Sequence, residues 1–194
     1  MRITGGEYGS RVIKVPKGDL RPTQDMVRSA LFSMLAEKVP GCRFLDLFAG
    51  TGAVGIEAAS RGASEVVFVE SARSASAVIK DNLALLGIAN SQLFSLDVGM
   101  FLEKRLAGDK FDIIYADPPY RGKDGKNWLD LLLNDIKSKA LLKEEGLFIM
   151  EQRSSEKFEG CSGWEMIRER RYGGTILRVF CIELNKDSEK QDDL

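Results

Sequence analysis

The chain has 194 residues, 44% of them hydrophobic and 29% charged, with a formal net charge of −1. This is the composition of a globular protein with enough chain for a sizeable core, and it excludes a polycation that holds nucleic acid by overall charge. Histidine is absent, which removes the commonest general base, the usual nucleophilic triads and most zinc sites, so any chemistry falls to carboxylates, backbone groups and a cofactor, with no metal expected.

Residues 1–22 carry two short strand-like pieces, about 2–4 and 11–15, around a glycine-rich turn. They predict a β-hairpin too small to stand alone, which must lean on the rest of the chain. The stretch does not read as a secretory signal. Arg2, Arg11, Lys14, Lys17 and Arg21 outnumber Glu7 and Asp19. The arm is either an ordinary solvated hairpin or a phosphate-contacting element, and charge alone does not choose.

Residues 23–38 predict a helix, with Thr23 placed to cap it and Asp25 in its first turn. Val27, Ala30, Leu31, Met34 and Leu35 form an apolar stripe for core packing. Arg21 and Thr23 stand at the helix mouth, where free N–H groups and a hydroxyl make them candidates for ligand contact.

Next comes Phe44-Leu45-Asp46-Leu47-Phe48-Ala49-Gly50-Thr51-Gly52-Ala53-Val54-Gly55. A strand-length apolar run meets a carboxylate, then a glycine turn, then a helix from about 53 to 61. Gly50 and Gly52 allow a tight turn close to a ligand, and the helix start leaves N–H groups free at a partly positive end. Phe48, Ala49, Gly50, Thr51 and Gly52 are therefore expected to cradle a small polar molecule at the edge of a parallel sheet. Gly50, Gly52 and Gly55 also satisfy the dinucleotide pattern, with Glu70 at about the distance of its ribose-binding acid. Asp46 favours a cationic ligand instead, because a carboxylate before the first glycine repels a pyrophosphate.

Strand-like and helix-like segments then alternate. Strands are expected at 43–48, 65–70, 92–97, 111–116, 146–151 and 175–184, and helices near 53–61, 73–86, 98–106 and 127–141. This argues an α/β fold with a mainly parallel sheet covered on both faces. Trp164 to Tyr172 and Thr175 to Leu184 flank Gly173-Gly174 and predict a terminal hairpin, hence one antiparallel strand. Residues 185–194 are a polar, mostly acidic tail expected to be disordered, and residues 1–184 are expected to form one domain. No apolar run reaches the roughly 18 residues of a membrane-spanning helix. Cys42, Cys161 and Cys181 are scattered and odd in number, which points to a reducing, cytoplasmic setting.

Four expected strands end in acids: Asp46, Glu70, Asp97 and Asp117. Ligands in open α/β sheets bind at that edge. Glu70, with Ser71 beside it, is placed for two ribose hydroxyls; Asp97 is placed for an exocyclic purine amine, with the Val98 N–H adjacent. Each acid taken singly is also an ordinary turn or cap residue. Asp117-Pro118-Pro119-Tyr120 follows a strand, and its prolines stiffen the turn. That fixes a carboxylate, carbonyl oxygens and an aromatic ring at the cofactor's edge.

Asp46-Leu-Phe-Ala-Gly-Thr-Gly-Ala with Asp117-Pro-Pro-Tyr120 resembles the S-adenosylmethionine-dependent methyltransferases of exocyclic amines. Met-Arg-Ile-Thr-Gly-Gly-Glu-Tyr-Gly-Ser-Arg, Leu20-Arg-Pro-Thr23 and Val27-Arg-Ser-Ala-Leu-Phe32 narrow this. Together they are similar to the RsmD family of bacterial 16S rRNA guanine-N2 methyltransferases, over about residues 1–184. The resemblance implies a seven-stranded Rossmann-like sheet with one reversed strand near its end and S-adenosylmethionine as cofactor. It also implies a flipped guanine of 16S ribosomal RNA as substrate, within a small subunit or its assembly intermediate. Asp117, Pro118, Pro119 and Tyr120 are then the catalytic set, and Arg2, Arg11, Lys14 and Arg21 the phosphate contacts, with Arg170 or Arg171 adding to that face. The competing readings are a DNA-adenine or protein-amide methyltransferase, a nicotinamide oxidoreductase, and a non-catalytic RNA-binding module.

Overall fold

The computed structural model describes residues 1–15, 22–104, 110–119, 128–135 and 140–183. Seven strands are seen: β1 (Arg43–Leu47), β2 (Glu65–Val69), β3 (Ser91–Phe94), β4 (Phe111–Ala116), β5 (Leu142–Arg153), β6 (Trp164–Tyr172) and β7 (Thr175–Ile182). They form one sheet in the order β3-β2-β1-β4-β5-β7-β6. β1 pairs in parallel with β2 and β4, and the parallel set continues to β3 and β5. β7 is the reversed strand, antiparallel to both β5 and β6.

The strands between helices alternate their side chains between two cores, as a sheet buried on both faces must. Phe44, Phe68, Ile113 and Ile149 meet α1 (Pro22–Leu35), α2 (Ala53–Ser60) and α3 (Arg73–Leu86). Leu45, Val67, Ile114 and Phe148 meet α4 (Val98–Lys104) and α5 (Trp128–Asn134) on the other face. Each fully buried phenylalanine of this set contributes about 1.5–3 kcal/mol by leaving water.

Several boundaries differ from expectation. The helix α1 begins at Pro22, where proline's missing N–H costs nothing, so Thr23 lies inside the first turn and does not precede it as a cap. β3 stops at Phe94, short of Asp97, and β5 starts earlier, at Leu142. The arm has one β-bridge, Arg2 to Val12, in place of two regular strands. The tail 185–194 lies outside the described residues.

The arm does lean on the core, and it does so through polar staples as well as Ile3 and Ile13, both 1% exposed. The wholly buried Glu57 of α2 accepts from the Thr4 N–H at 2.9 Å and the Thr4 hydroxyl at 2.5 Å. Arg61 donates to the same carboxylate from Nε at 3.0 Å and Nη2 at 2.9 Å. Buried Asn82 of α3 pairs with the Lys14 backbone, accepting its N–H at 2.8 Å and donating to its carbonyl at 3.0 Å. At Gly6 a β-carbon would stand 1.8 Å from the Ser60 carbonyl oxygen, so the backbone itself makes the contact.

Gly55 has a packing role as the last glycine of the turn-and-helix stretch. A β-carbon there would lie 2.2 Å from the Phe68 ring, which is fully buried on β2. Gly55→Ala adds about 1 kcal/mol of helix propensity and loses about 1–3 kcal/mol to overpacking, at the upper end for so short a contact. Urea unfolding should therefore show a less stable variant, and Gly55→Ala with Phe68→Leu should recover part of the loss. A single variant at least as stable as the parent would refute the packing argument.

Candidate functional site

The site is set by the pairing of β1 with β4, which puts Asp46 opposite Tyr115. Asp117 is then two residues beyond Tyr115, at the carboxyl edge of the sheet. A cavity of about 120 Å³ opens there. Its lining includes the turn residues Phe48 to Thr51, the start of α2, and the side chains Arg28, Asp46, Tyr115, Asp117 and Glu151. Asp46 and Asp117 thus face one space.

Asp46 is 1% exposed, and its Oδ2 accepts from the Gly55 N–H at 2.9 Å. The carboxylate therefore caps the third residue of α2 from a neighbouring strand. Burial pushes its pKa up to about 7; the Gly55 N–H opposes this, and the charge of Glu70 adds to it. Tyr115 donates its hydroxyl to Glu151 Oε2 at 2.6 Å. Burial raises both groups, and Tyr115 is raised further by Glu151, Asp117 and Asp46. The phenol stays protonated and donates, beside a wall of carboxylates.

The other expected ligand residues divide. Glu70 Oε2 accepts from the Gly50 N–H and Oε1 from the Ala72 N–H, each at 2.7 Å. It holds the glycine turn in shape. Asp97 heads α4: its Oδ1 accepts from the Gly99 N–H at 2.8 Å, and its carbonyl from the Phe101 N–H at 2.9 Å. This is the capping role, and it sits one short loop beyond the strand to which the sequence assigned it. Neither acid lines the cavity, nor do exposed Ser71 and buried Val98. Phe48 does, in a left-handed conformation with φ 63°, its ring packed edge-on to Trp128 at 4.8 Å between centroids. Gly52 is the N-cap of α2 with φ 76°, where glycine avoids strain. Pro118 is buried and Pro119 exposed. Tyr120 and Arg21, and the side chain of Thr23, lie outside the described residues.

Arg2 and Arg11 are exposed, and Arg2 Nη1 donates to the Ser10 carbonyl at 2.8 Å. Lys14 pairs with Asp81 at 2.9 Å, both well exposed. Arg170 and Arg171 are exposed on the edge strand β6.

Three cavity residues were missed by sequence reasoning. Glu151 is an acid near the end of β5, the same signal that picked out the other four. Tyr115 lies inside the stretch already singled out by its proline turn. Arg28 stands in register with Leu31 and Leu35 on the apolar side of α1, and a cation on such a stripe was the readable sign. No helix among the described residues is long and apolar enough to cross a membrane. No cluster of three or more acidic or cysteine side chains among them could hold a metal ion.

The family described as conserved hypothetical protein 95 matches residues 1–181. The chain belongs to that family. It is the RsmD family that the motifs resemble. The ribosomal RNA small subunit methyltransferase D of Escherichia coli K12 is 31% identical over 191 residues, 97% of this chain and 93% of its own. The enzyme of the same name from Haemophilus influenzae is 29% identical over 186 residues, 93% of each chain. The solved structure of yhhF from Escherichia coli superposes with a TM-score of 0.83 at 30% identity, covering 95% of this chain and 99% of its own.

The raised Asp46 gives a direct stability test. An acid whose folded pKa is about 7 binds more protons folded than unfolded from about pH 4 to 7, so stability of the ligand-free protein falls as pH rises through that window. The penalty is complete above it and amounts to about 4 kcal/mol. Asp46→Asn keeps an acceptor for Gly55 and should be more stable than the parent at pH 8, with the gap shrinking toward pH 4. Thermal unfolding at both ends of the range checks this; a parent more stable than the variant at pH 8 would count against it.

Proposed function

We propose that the protein transfers a methyl group from S-adenosylmethionine to the exocyclic N2 amine of a guanine in 16S ribosomal RNA. The observation that carries this is the shared cavity of Asp46 and Asp117, behind a glycine turn, in a chain whose full-length relatives are named small-subunit rRNA methyltransferases.

The residues present fit a cationic methyl donor. Asp46, Asp117 and Glu151 make the cavity wall acidic, and Asp46 already occupies the Gly55 N–H. A dinucleotide pyrophosphate would meet a carboxylate where it needs a donor, which disfavours the oxidoreductase reading. Asp46 and the turn Phe48–Gly52 would hold the amino-acid end of the cofactor. Glu70, braced by two backbone donors, would take ribose hydroxyls with its remaining lone pairs, with Ser71 alongside. Asp97 and the Val98 N–H would meet the adenine. When bound, the cofactor supplies an electrophilic methyl on a sulfonium.

The chain's own contribution is to position the amine. Its lone pair is delocalised into the guanine ring and is a poor nucleophile. The Asp117 carboxylate and the Pro118 carbonyl accept its hydrogen bonds, so that the nitrogen pyramidalises and its lone pair is aimed. Pro119 stiffens the turn, and Tyr120 stacks on the flipped base. Arg2, Arg11, Lys14 and Arg21 hold phosphates. The exposed Lys14–Asp81 pair is weak, so Lys14 can exchange Asp81 for a phosphate. In this reading residues 1–184 act as one unit of arm and core, and the substrate is met in the cytoplasm, in a small subunit or its assembly intermediate.

Tritium transfer from S-adenosylmethionine to ribosomal RNA or particles from cells lacking this protein, followed by nucleoside analysis, tests the reading. Labelled N2-methylguanosine is expected; label in adenine, in protein or nowhere refutes it. Asp117→Ala should cut transfer by about 10²–10³-fold or more while cofactor affinity stays within about threefold. Equal loss of both would make Asp117 a cofactor or folding residue.

A further inference from the structure

Arg28 is a guanidinium on α1 that is 3% exposed and lines the cavity. Its Nη2 donates to the Arg2 carbonyl at 2.7 Å and pairs with Asp25 at 3.0 Å. Among the described residues its Nη1 has one hydrogen-bond acceptor, the weak Met1 thioether. Its Nε has no hydrogen-bond partner among the described residues. Glu57 Oε2 stands 3.5 Å from that Nε, but it is already engaged by the Thr4 N–H. Glu57 also serves Arg61, so two arginines share one carboxylate. A buried guanidinium is ordinarily surrounded by strong acceptors, and here the thioether and the unpartnered Nε leave that requirement unmet.

The rest of the cavity carries the opposite charge. Asp46, Asp117 and Glu151 share it with Arg28. A small space with a cation at one place and carboxylates at another is complementary to a zwitterion. At about 120 Å³ it is far below the roughly 300 Å³ of an enclosed site for a whole drug-sized ligand, and suits the head of an α-amino acid.

We propose that Arg28 binds the α-carboxylate of the methyl donor's amino-acid end, while Asp46 takes its ammonium. This deepens the cofactor reading and rests on it. The same guanidinium holds the Arg2 carbonyl, so the cofactor's end and the start of the basic arm would hang on one side chain.

Calorimetry on the full chain separates the carboxylate from everything else. The probes are S-adenosylhomocysteine and its decarboxylated counterpart, which keeps the ammonium and the nucleoside. The parent should bind the first about tenfold or more tighter than the second. R28Q should erase that preference, losing about tenfold or more for S-adenosylhomocysteine and less than about twofold for the decarboxylated compound. R28K, which keeps the charge without the fork, should fall between. Equal losses for both ligands in R28Q would make Arg28 a structural residue, and no loss for either would overturn the assignment. Should R28Q fail to unfold cooperatively, the parent's own preference and R28K decide, and a parent with no preference overturns it. A parent that binds neither compound refutes the cofactor reading itself, a result distinct from binding both equally.

Discussion

The site depends on the parallel register between β1 and β4. With Asp46 paired to Tyr115, the chain reversal after β1 and the proline turn after β4 must open onto the same edge of the sheet. A slip of one residue would turn Asp46 into the core beneath α4 and α5, and would send Leu45 and Leu47 to the α1 face. The apolar residues on either side forbid that slip, since Phe44 and Leu45 are each fully buried on opposite faces. Packing far from any ligand therefore sets the spacing of the two acids.

Two buried carboxylates on this face show what different surroundings do to the same group. Glu57 has two arginines and both polar groups of Thr4 around it, and it works as a staple between the arm and α2. Asp46, on β1, accepts from the Gly55 N–H and forms no ion pair among the described residues, and burial raises its pKa to about 7. A charge kept in that state raises the energy of the ligand-free protein, and a cationic ligand relieves it.

The fold was largely legible because its signals are local and repeated. The apolar runs at 43–48, 65–70 and 111–116, the stop at Gly87 and the Gly173-Gly174 turn fall within a residue of where elements begin or end, whereas β3, β5 and α5 have other bounds than expected. The site was legible only where a motif and a sheet edge coincide, at Asp46, the glycine turn and Asp117. Asp97 read as a strand end because Leu96 extends the apolar run, yet the backbone leaves β3 at Phe94 and the acid serves α4. Thr23 has the residue type of a cap, but Pro22 before it takes the first helical position and moves the helix start ahead of it. Arg28, Tyr115 and Glu151 were hidden for a different reason. Each sits within an apolar stripe or strand, and only the tertiary fold brings α1, β4 and β5 to one cavity.

The arm connects these levels. Its own backbone hydrogen bonds, such as Ile3 N–H to the Arg11 carbonyl, close the turn, and further backbone groups of Thr4, Tyr8 and Lys14 are bonded to side chains of α2 and α3. Those two helices also frame the glycine turn, since α2 starts at Ala53 directly behind it, and α3 places Ile79 3.1 Å from where a β-carbon on Gly52 would stand. Any phosphate held by Arg2 or Arg11 is thus referred, through Thr4 and Glu57, to the same helix whose first turn is capped by Asp46. If the arm grips RNA and the turn grips the cofactor, as proposed above, both grips bear on α2.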